Sequence, residues 1–171
     1  ILTDKDQEAR CRAARDAFNA PFSIEMREID SVGMYDNAAE SLGKTFVTTE
    51  LGGGGTSTAE TVQIARKGAR NLLIHAGILA GKLEVAPTRH LTQPNNDCFL
   101  FSPADGMAEY LAALGETVKK GDVIARIWDT RNTGIAPLEI RTKIDGLFTA
   151  RHQPGLIQIG DCLAVLAVEA T

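Results

Sequence analysis

The sequence predicts an α/β fold followed by an all-β domain, and three observations support this order. Segments with helical and strand-like patterns alternate up to about residue 84. The stretch 85–96 contains two prolines and an Asn-Asn pair but no apolar periodicity, which is typical of a linker. From residue 97 onward, short apolar runs alternate with Asp-Gly and Gly-Asp turns. We therefore predict an α/β domain over 1–84, a linker over 85–96 and a β-sandwich domain over 97–171.

The predicted α/β domain contains three helices and two strands. A capping box of Thr3 and Asp6 begins the first helix, which runs to about Phe18. Residues 45–49 are mostly β-branched or aromatic, which is typical of a strand. A long amphipathic helix is predicted over 59–79, with a buried apolar end closed by Gly81. The remaining elements are a predicted strand over 22–29 and a short helix over 36–42.

The predicted β domain contains an internal repeat. In the first copy, Asp105-Gly106 precedes a Gly121-Asp122 turn and then a strand. In the second copy, Asp145-Gly146 precedes a Gly160-Asp161 turn and then a strand. Glycine adopts turn conformations that other residues resist. Two similar β units about a pseudo-twofold axis predict a small closed sandwich.

Composition argues against several classes of protein. The chain has 171 residues, a net charge of −4 and no basic run longer than Lys119-Lys120, so we expect no nucleic-acid partner. No apolar stretch approaches the ~20 residues of a membrane span, and no signal peptide opens the chain. Cys11, Cys98 and Cys162 are far apart, which predicts reduced, buried thiols in a cytoplasmic protein. The first residue is Ile, so we expect a fragment or a processed chain.

Glu50 is the sharpest candidate for a catalytic residue. It follows the predicted strand over 45–49 and precedes four glycines, residues 52–55. Ligand sites in open α/β sheets usually lie at such strand ends. A carboxylate there could take a proton from a metal-bound water, while Gly52 and Gly53 would let a substrate approach the backbone. The alternative is a structural carboxylate that accepts backbone N–H bonds.

Other candidate sites are weaker. A glycine-rich loop before a helix also suggests phosphate binding, but no Lys-Ser/Thr pair follows the glycines. None of the three histidines has the ligand spacing of a zinc site. We expect His75 to be a packing residue and His90 to lie in the linker. His152 is predicted at a turn, with the rim of a pocket as the alternative.

The run Phe46-Val47-Thr48-Thr49-Glu50-Leu51-Gly52-Gly53 resembles the catalytic-glutamate segment of the succinylglutamate desuccinylase/aspartoacylase family, relatives of the zinc carboxypeptidases. The helix that follows and the later stretches 102–106, 118–127 and 154–166 are similar to that family's helix and C-terminal β domain. The Glu-Leu-Gly-Gly-Gly-Gly form looks most like the branch of N-alpha-acetyl-diaminobutyrate deacetylases. The resemblance therefore covers most of the chain from about residue 45.

This resemblance implies a zinc-dependent deacylase of a small N-acyl amino acid, with Glu50 as the general base. It implies one zinc ion held by two His and one Glu that precede the catalytic glutamate. Because no His precedes Glu50, we expect the zinc ligands upstream, none in this chain, and no activity from this chain alone. A homo-oligomer is possible.

Two alternatives stay open at this stage. The predicted β domain resembles biotinyl and lipoyl domains, which carry their group on a lysine between the two copies. Here that region holds no lysine before Lys143, which stands close to the second turn. The second alternative is a non-enzymatic binding or assembly module.

Overall fold

The computed structural model describes residues 5–26 and 34–170, and the chain divides into two compact units, 1–90 and 91–171. The first unit contains three helices and a short strand; the second begins within strand β2 and consists of strands with one 3₁₀ turn. The elements in chain order are α1 Lys5–Phe18, β1 Phe22–Glu25, α2 Tyr35–Ser41, α3 Ala59–His75, β2 Arg89–Thr92, the 3₁₀ turn Asn96–Cys98, β3 Phe99–Phe101, β4 Gly106–Tyr110, β5 Thr117–Val118, β6 Val123–Trp128, β7 Leu138–Arg141, β8 Gly146–Arg151, β9 Leu156–Ile157 and β10 Cys162–Glu169.

Helix α1 packs against helix α3 in the first unit. The contact depends on Gly68, which is buried in α3 beneath the ring of Phe18. A Cβ atom at position 68 would lie 2.3 Å from Cε2 of that ring. Ala14, Ala17 and Phe18 are buried on the facing side of α1. Small residues thus let the two helices approach closely.

Two buried amides join the segment 84–88 to the helices. The Asn71 side chain is fully buried, donates to the Glu84 carbonyl at 2.9 Å and accepts from the Glu84 N–H at 3.0 Å. Asn19 does the same with both backbone groups of Ala86. Lys67 donates to the Asn19 side-chain oxygen at 2.9 Å. Satisfied amides of this kind fix an otherwise irregular segment on the helical layer.

Several sequence predictions for the first unit are corrected. Residues 45–49 form no strand, because a strand needs a neighbour to complete its hydrogen bonds and none lies beside them in the described part of the chain. Helix α3 ends at His75, since Gly77 adopts φ +71° and its N–H bonds to the Ile74 carbonyl. The predicted burial of this end is only partly correct: Leu72 and Ile74 are half-buried, whereas Leu73 is 43% accessible.

Other boundaries differ by smaller amounts. Strand β1 ends at Glu25, and residues 27–29 of the predicted strand lie outside the described residues. Thr3 of the predicted capping box also lies outside them. The segment 85–96, predicted as a linker, contains strand β2.

The second unit has two antiparallel sheets. Strand β10 is central in the larger one and pairs with β2, β3 and β8, while β5 pairs with β8. The smaller sheet has the order β7-β6-β4-β9. Both sheets contribute to a single core, whose fully buried members are Ile124, Ala125, Phe148, Leu163, Ala164 and Leu166. These side chains come from β6 of the smaller sheet and from β8 and β10 of the larger one.

The two copies of the repeat form matching turns. Gly121 and Gly160 adopt φ +94° and +91°, a conformation that L residues rarely adopt. The aspartate after each glycine accepts a backbone N–H three residues before it, at 2.8 Å in both copies (Lys119 to Asp122 and Gln158 to Asp161). The same local sequence therefore forms the same turn twice.

The copies also exchange hydrogen bonds. Asp105 of the first copy accepts the Ile159 N–H at 2.9 Å, and Asp145 of the second accepts the Lys120 N–H at 2.8 Å. Strand pairing also joins the two copies, since β4 of the first copy pairs with β9 of the second and β5 of the first pairs with β8 of the second. Each copy therefore supplies hydrogen-bond partners for the turns and strands of the other. Among the described residues, no helix is long and apolar enough to cross a membrane.

Candidate functional site

Glu50 follows the irregular segment 45–49 and lies just before the glycine-rich loop. Its side chain is exposed. Among the described residues it accepts no hydrogen bond, so it is not held as a backbone acceptor. The carboxylate is therefore open to a substrate or to water.

The loop after Glu50 depends on glycine. Gly52, Gly54 and Gly55 have φ values of +91°, +64° and +70°. The Thr56 hydroxyl donates to the Gly53 carbonyl at 2.9 Å, and the Thr56 N–H donates to the same carbonyl at 3.2 Å. The loop is thus a defined turn with an accessible backbone. It leaves open space around Gly53, where an added Cβ would meet nothing within 4 Å.

Helix α3 begins directly after this loop with a complete capping box. The Thr58 hydroxyl accepts the Thr61 N–H at 3.1 Å, and the Thr61 hydroxyl accepts the Thr58 N–H at 2.9 Å. These bonds confirm the predicted cap within residues 56–58. They also occupy an N–H group that a phosphate would need at this helix terminus, which weakens the phosphate-binding interpretation.

The three histidines lie at different places in the fold. His75 is exposed at the last turn of α3, so its prediction as a packing residue is wrong. His90 is exposed in β2. His152 lies in the turn between β8 and β9, with Nδ1 2.9 Å from the Pro154 carbonyl oxygen and Nε2 3.3 Å from Asp161. In the described part of the chain, no group of three or more His, Cys, Asp or Glu could hold a metal ion.

The three cysteines are free thiols, but only one is fully buried. Cys98 is completely inaccessible, as expected. Cys11 and Cys162 are half-buried, so their predicted burial is only partly correct. Partial burial raises the pKa of the Cys162 thiol.

A concave site also lies on the second unit, and the sequence analysis did not predict it. It has a volume of about 650 Å³ and is lined partly by Asp105, Asp129, Arg131 and Asp161. Its carboxylates are used structurally, because Asp129 accepts the side chain of Asn132 and the N–H of Arg131. These bonds lower the pKa of Asp129. The Asp-x-Arg-Asn spacing of this turn is the signal that could have located it.

Comparison with known proteins identifies relatives for the whole length of the chain. The family model for the succinylglutamate desuccinylase/aspartoacylase catalytic domain matches residues 2–76. The N-alpha-acetyl-L-2,4-diaminobutyric acid deacetylase of Halomonas elongata is 42% identical over 98% of this chain, which spans 49% of that protein.

Solved structures agree with this result. The product-bound ectoine utilization protein EutE (DoeB) of Ruegeria pomeroyi is 54% identical with a TM-score of 0.94, over 98% of this chain and 51% of that one. A succinylglutamate desuccinylase from Silicibacter sp. TM1040 is 52% identical with a TM-score of 0.92, over 99% of this chain and 52% of that one. The chain therefore spans about half the length of these relatives. With matches in sequence and in fold, the chain belongs to the succinylglutamate desuccinylase/aspartoacylase family.

Proposed function

We propose that this chain forms part of a deacylase that hydrolyses the amide bond of a small N-acyl amino acid. The observation that carries the proposal is its 42% identity, over nearly its whole length, to a protein named as a deacetylase. The accessible Glu50 carboxylate beside an open glycine loop supports it from the structure. Because the chain spans half of its relatives, the activity is proposed for the longer protein that contains it.

Glu50 is proposed as the general base. Its carboxylate takes a proton from the attacking water, whose oxygen forms a new bond to the acyl carbon. The carboxylic acid then returns the proton to the amide nitrogen as the C–N bond breaks. A free acid and an amine leave. The Glu50 carboxylate is exposed and has no competing hydrogen bond from the described residues, which suits proton transfer in both directions.

Gly52 and Gly53 are proposed to contact the substrate through their backbone. An added Cβ at Gly53 would meet nothing within 4 Å among the described residues, so there is space for an acyl group beside the loop. The Thr56 contacts to the Gly53 carbonyl keep the turn in place during this approach. Preorganised backbone groups add to the rate because they need not reorder.

The resemblance also implies a zinc ion, which would lower the pKa of the attacking water when bound. The described residues do not fit such a site, since they bring together no group of three or more suitable donors. We therefore assign no zinc ligand to this chain, and propose that the remainder of the longer protein supplies them. The role of Glu50 as a base does not depend on its binding the metal.

Replacing Glu50 with Gln tests the mechanism in the longer protein. The substitution keeps the size of the side chain but removes the base, so kcat should fall by ~10²-fold or more while KM changes little. Glu60→Gln is the matched control, because Glu60 is another exposed carboxylate, in the first turn of α3. The control should retain full turnover. The turnover of both variants is measured with an N-acetyl diamino acid as the substrate, by the rate at which acetate is released.

Folding is measured on the same preparations. A Glu50→Gln protein with unchanged melting temperature and lost kcat supports the proposal. A folded Glu50→Gln protein with full turnover refutes it. A protein that unfolds but turns over normally in its folded fraction points to a structural carboxylate instead.

The carrier alternative has no comparable support. The connection between the copies, residues 129–137, contains no lysine, and Lys143 stands in the turn before β8. A non-enzymatic assembly module would leave the accessible Glu50 and its glycine loop without a role. Neither alternative is favoured by a specific contact in the structure.

A further inference from the structure

A buried amide of helix α1 is hydrogen-bonded to the start of the segment 44–49, which leads into Glu50. Gln7 is 2% accessible although it lies in the first turn of the helix, and its Nε2 donates to the Lys44 carbonyl at 2.8 Å. The same nitrogen donates to the Glu40 carbonyl at 3.3 Å, near the end of helix α2. Burying an amide is costly unless it is hydrogen-bonded. These two bonds therefore help to offset the burial of Gln7.

A second contact to this segment follows one turn later in α1. The Cys11 sulfur accepts the Phe46 N–H at 3.4 Å. Four residues of a helix rise by about 6 Å, which is close to the span of the two residues from Lys44 to Phe46, so both contacts can form along one face of the helix. Among the described residues, Phe46 is the one residue of 45–50 whose backbone is hydrogen-bonded.

These contacts and the turn after Glu50 hold the chain on both sides of the carboxylate. The Phe46 contact precedes Glu50 by four residues, and the turn at Gly53 follows it by three. A general base acts only within about 2.6–3.2 Å of the proton that it takes, so a small displacement of its backbone slows the transfer. A misplacement of about 1 Å can lower a rate by ~10²-fold. The contacts to α1 are therefore in a place where they can affect turnover.

We propose that Gln7 and Cys11 are positioning residues, which hold the backbone so that Glu50 is placed for proton transfer. This inference rests on the proposed role of Glu50 as the base. The contacts of both side chains are to backbone groups of Lys44 and Phe46, so both act through the chain and not in the chemical step. The alternative is that they only stabilise the fold. Loss of a stabilising contact lowers the folded fraction, whereas loss of a positioning contact lowers kcat of the folded protein.

Gln7→Met in the longer protein tests the first contact, because methionine is a flexible side chain of similar length that cannot donate to the Lys44 carbonyl. We expect kcat to fall about tenfold or more at a temperature where the protein is folded, with KM changed little. Asn71→Leu is the matched control, since Asn71 is also a buried amide bonded to backbone, but at Glu84, which does not lead into Glu50. The control should lower the melting temperature as Gln7→Met does and keep the kcat of the wild type.

A double variant shows whether Gln7 acts through Glu50. When Glu50→Gln has already removed the base, adding Gln7→Met should change the remaining kcat by no more than about twofold, because no base is left to position. If the two effects multiply in full, Gln7 acts independently of Glu50 and the proposal is overturned. It is also overturned if folded Gln7→Met keeps the wild-type kcat, or if Asn71→Leu lowers kcat as much as Gln7→Met does.

The Cys11 contact gives a second test, which also decides the case in which Gln7→Met does not fold. Cys11→Ala removes the acceptor and introduces a residue that favours a helix, so kcat should fall about threefold or more in a folded protein. Cys11→Ser restores an acceptor atom and should recover part of the lost kcat. A wild-type kcat in Cys11→Ala overturns the proposal. These outcomes differ from failure of the proposed function, which is a folded Glu50→Gln protein with full turnover.

Discussion

Adding a methyl group at Gly106 or Gly146 should destabilise the second unit. Each glycine is the first residue of a strand and lies against the backbone of the neighbouring strand. A Cβ at Gly106 would lie 2.4 Å from the Trp128 carbonyl oxygen and 2.7 Å from Ile127 Cγ2. A Cβ at Gly146 would lie 2.8 Å from the Ala167 carbonyl oxygen. Cβ atoms in proteins essentially never approach other heavy atoms within 3.0 Å, as these would. Since the blocking atoms are mainly backbone, the strands themselves must shift.

The cost follows from this geometry. Overpacking that displaces backbone typically costs ~1–3 kcal/mol. For a unit of this size, each kcal/mol lowers the melting temperature by ~4–8 °C. We therefore expect Gly146→Ala to lower it by roughly 5–15 °C, and Gly106→Ala to lower it by more because its contact is shorter.

Thermal unfolding followed by circular dichroism provides the test, with Gly155→Ala as the control. An added Cβ at Gly155 would lie 3.9 Å from the Ala108 carbonyl oxygen, an ordinary contact, and Gly155 does not have a positive φ. This variant should melt within about 2 °C of the wild type, as unstrained substitutions do. If Gly106→Ala and Gly146→Ala melt with the wild type, the close approach of the strands in both copies is refuted.

Three further predictions concern other parts of the molecule. Asn71→Ala should cost about 1–3 kcal/mol in chemical denaturation, because it leaves both backbone groups of Glu84 unpaired. The backbone N–H of Lys120 and then the Lys119 ammonium lower the pKa of Asp145, so its stabilisation is present above about pH 4 and is lost as pH falls through the folded pKa. The difference in melting temperature between wild type and Asp145→Asn should therefore shrink from pH 6 to pH 3; a constant difference would contradict this. The longer protein should have a higher kcat/KM for an N-acetyl diamino acid than for N-acetylaspartate, and the opposite preference would contradict the proposed substrate.

The features that could be predicted from the sequence are those that neighbouring residues determine. The turns at Gly121 and Gly160 were recognisable because a positive φ selects glycine and the following aspartate closes the turn. Helix α1 was predicted to its final residue, Phe18. The cap at Thr58 was also predicted, since a hydroxyl before a helical pattern is a local signal. Each of these needs no distant contact.

The features that were missed depend on distant contacts. Residues 45–49 have the composition of a strand, but strand pairing is a property of two segments, and composition reports only one. The apolar residues at the end of α3, such as Leu73, predicted burial, but burial needs a covering surface. The burial of Asn71 accompanies its hydrogen bonds to the backbone of Glu84, 13 residues away, which no local pattern indicates. Tertiary structure overrode local preference in each case.

The same distinction governs the candidate site. Glu50 follows residues 45–49, which have no strand partner among the described residues. It is followed by a turn closed by Thr56 and by a helix capped at Thr58. The hydrogen bonds that hold the glycine-rich loop therefore lie after Glu50, in the loop and at the start of the helix. Because Glu50→Gln leaves all of those hydrogen bonds intact, a loss of turnover in that variant reports on proton transfer and not on the shape of the loop.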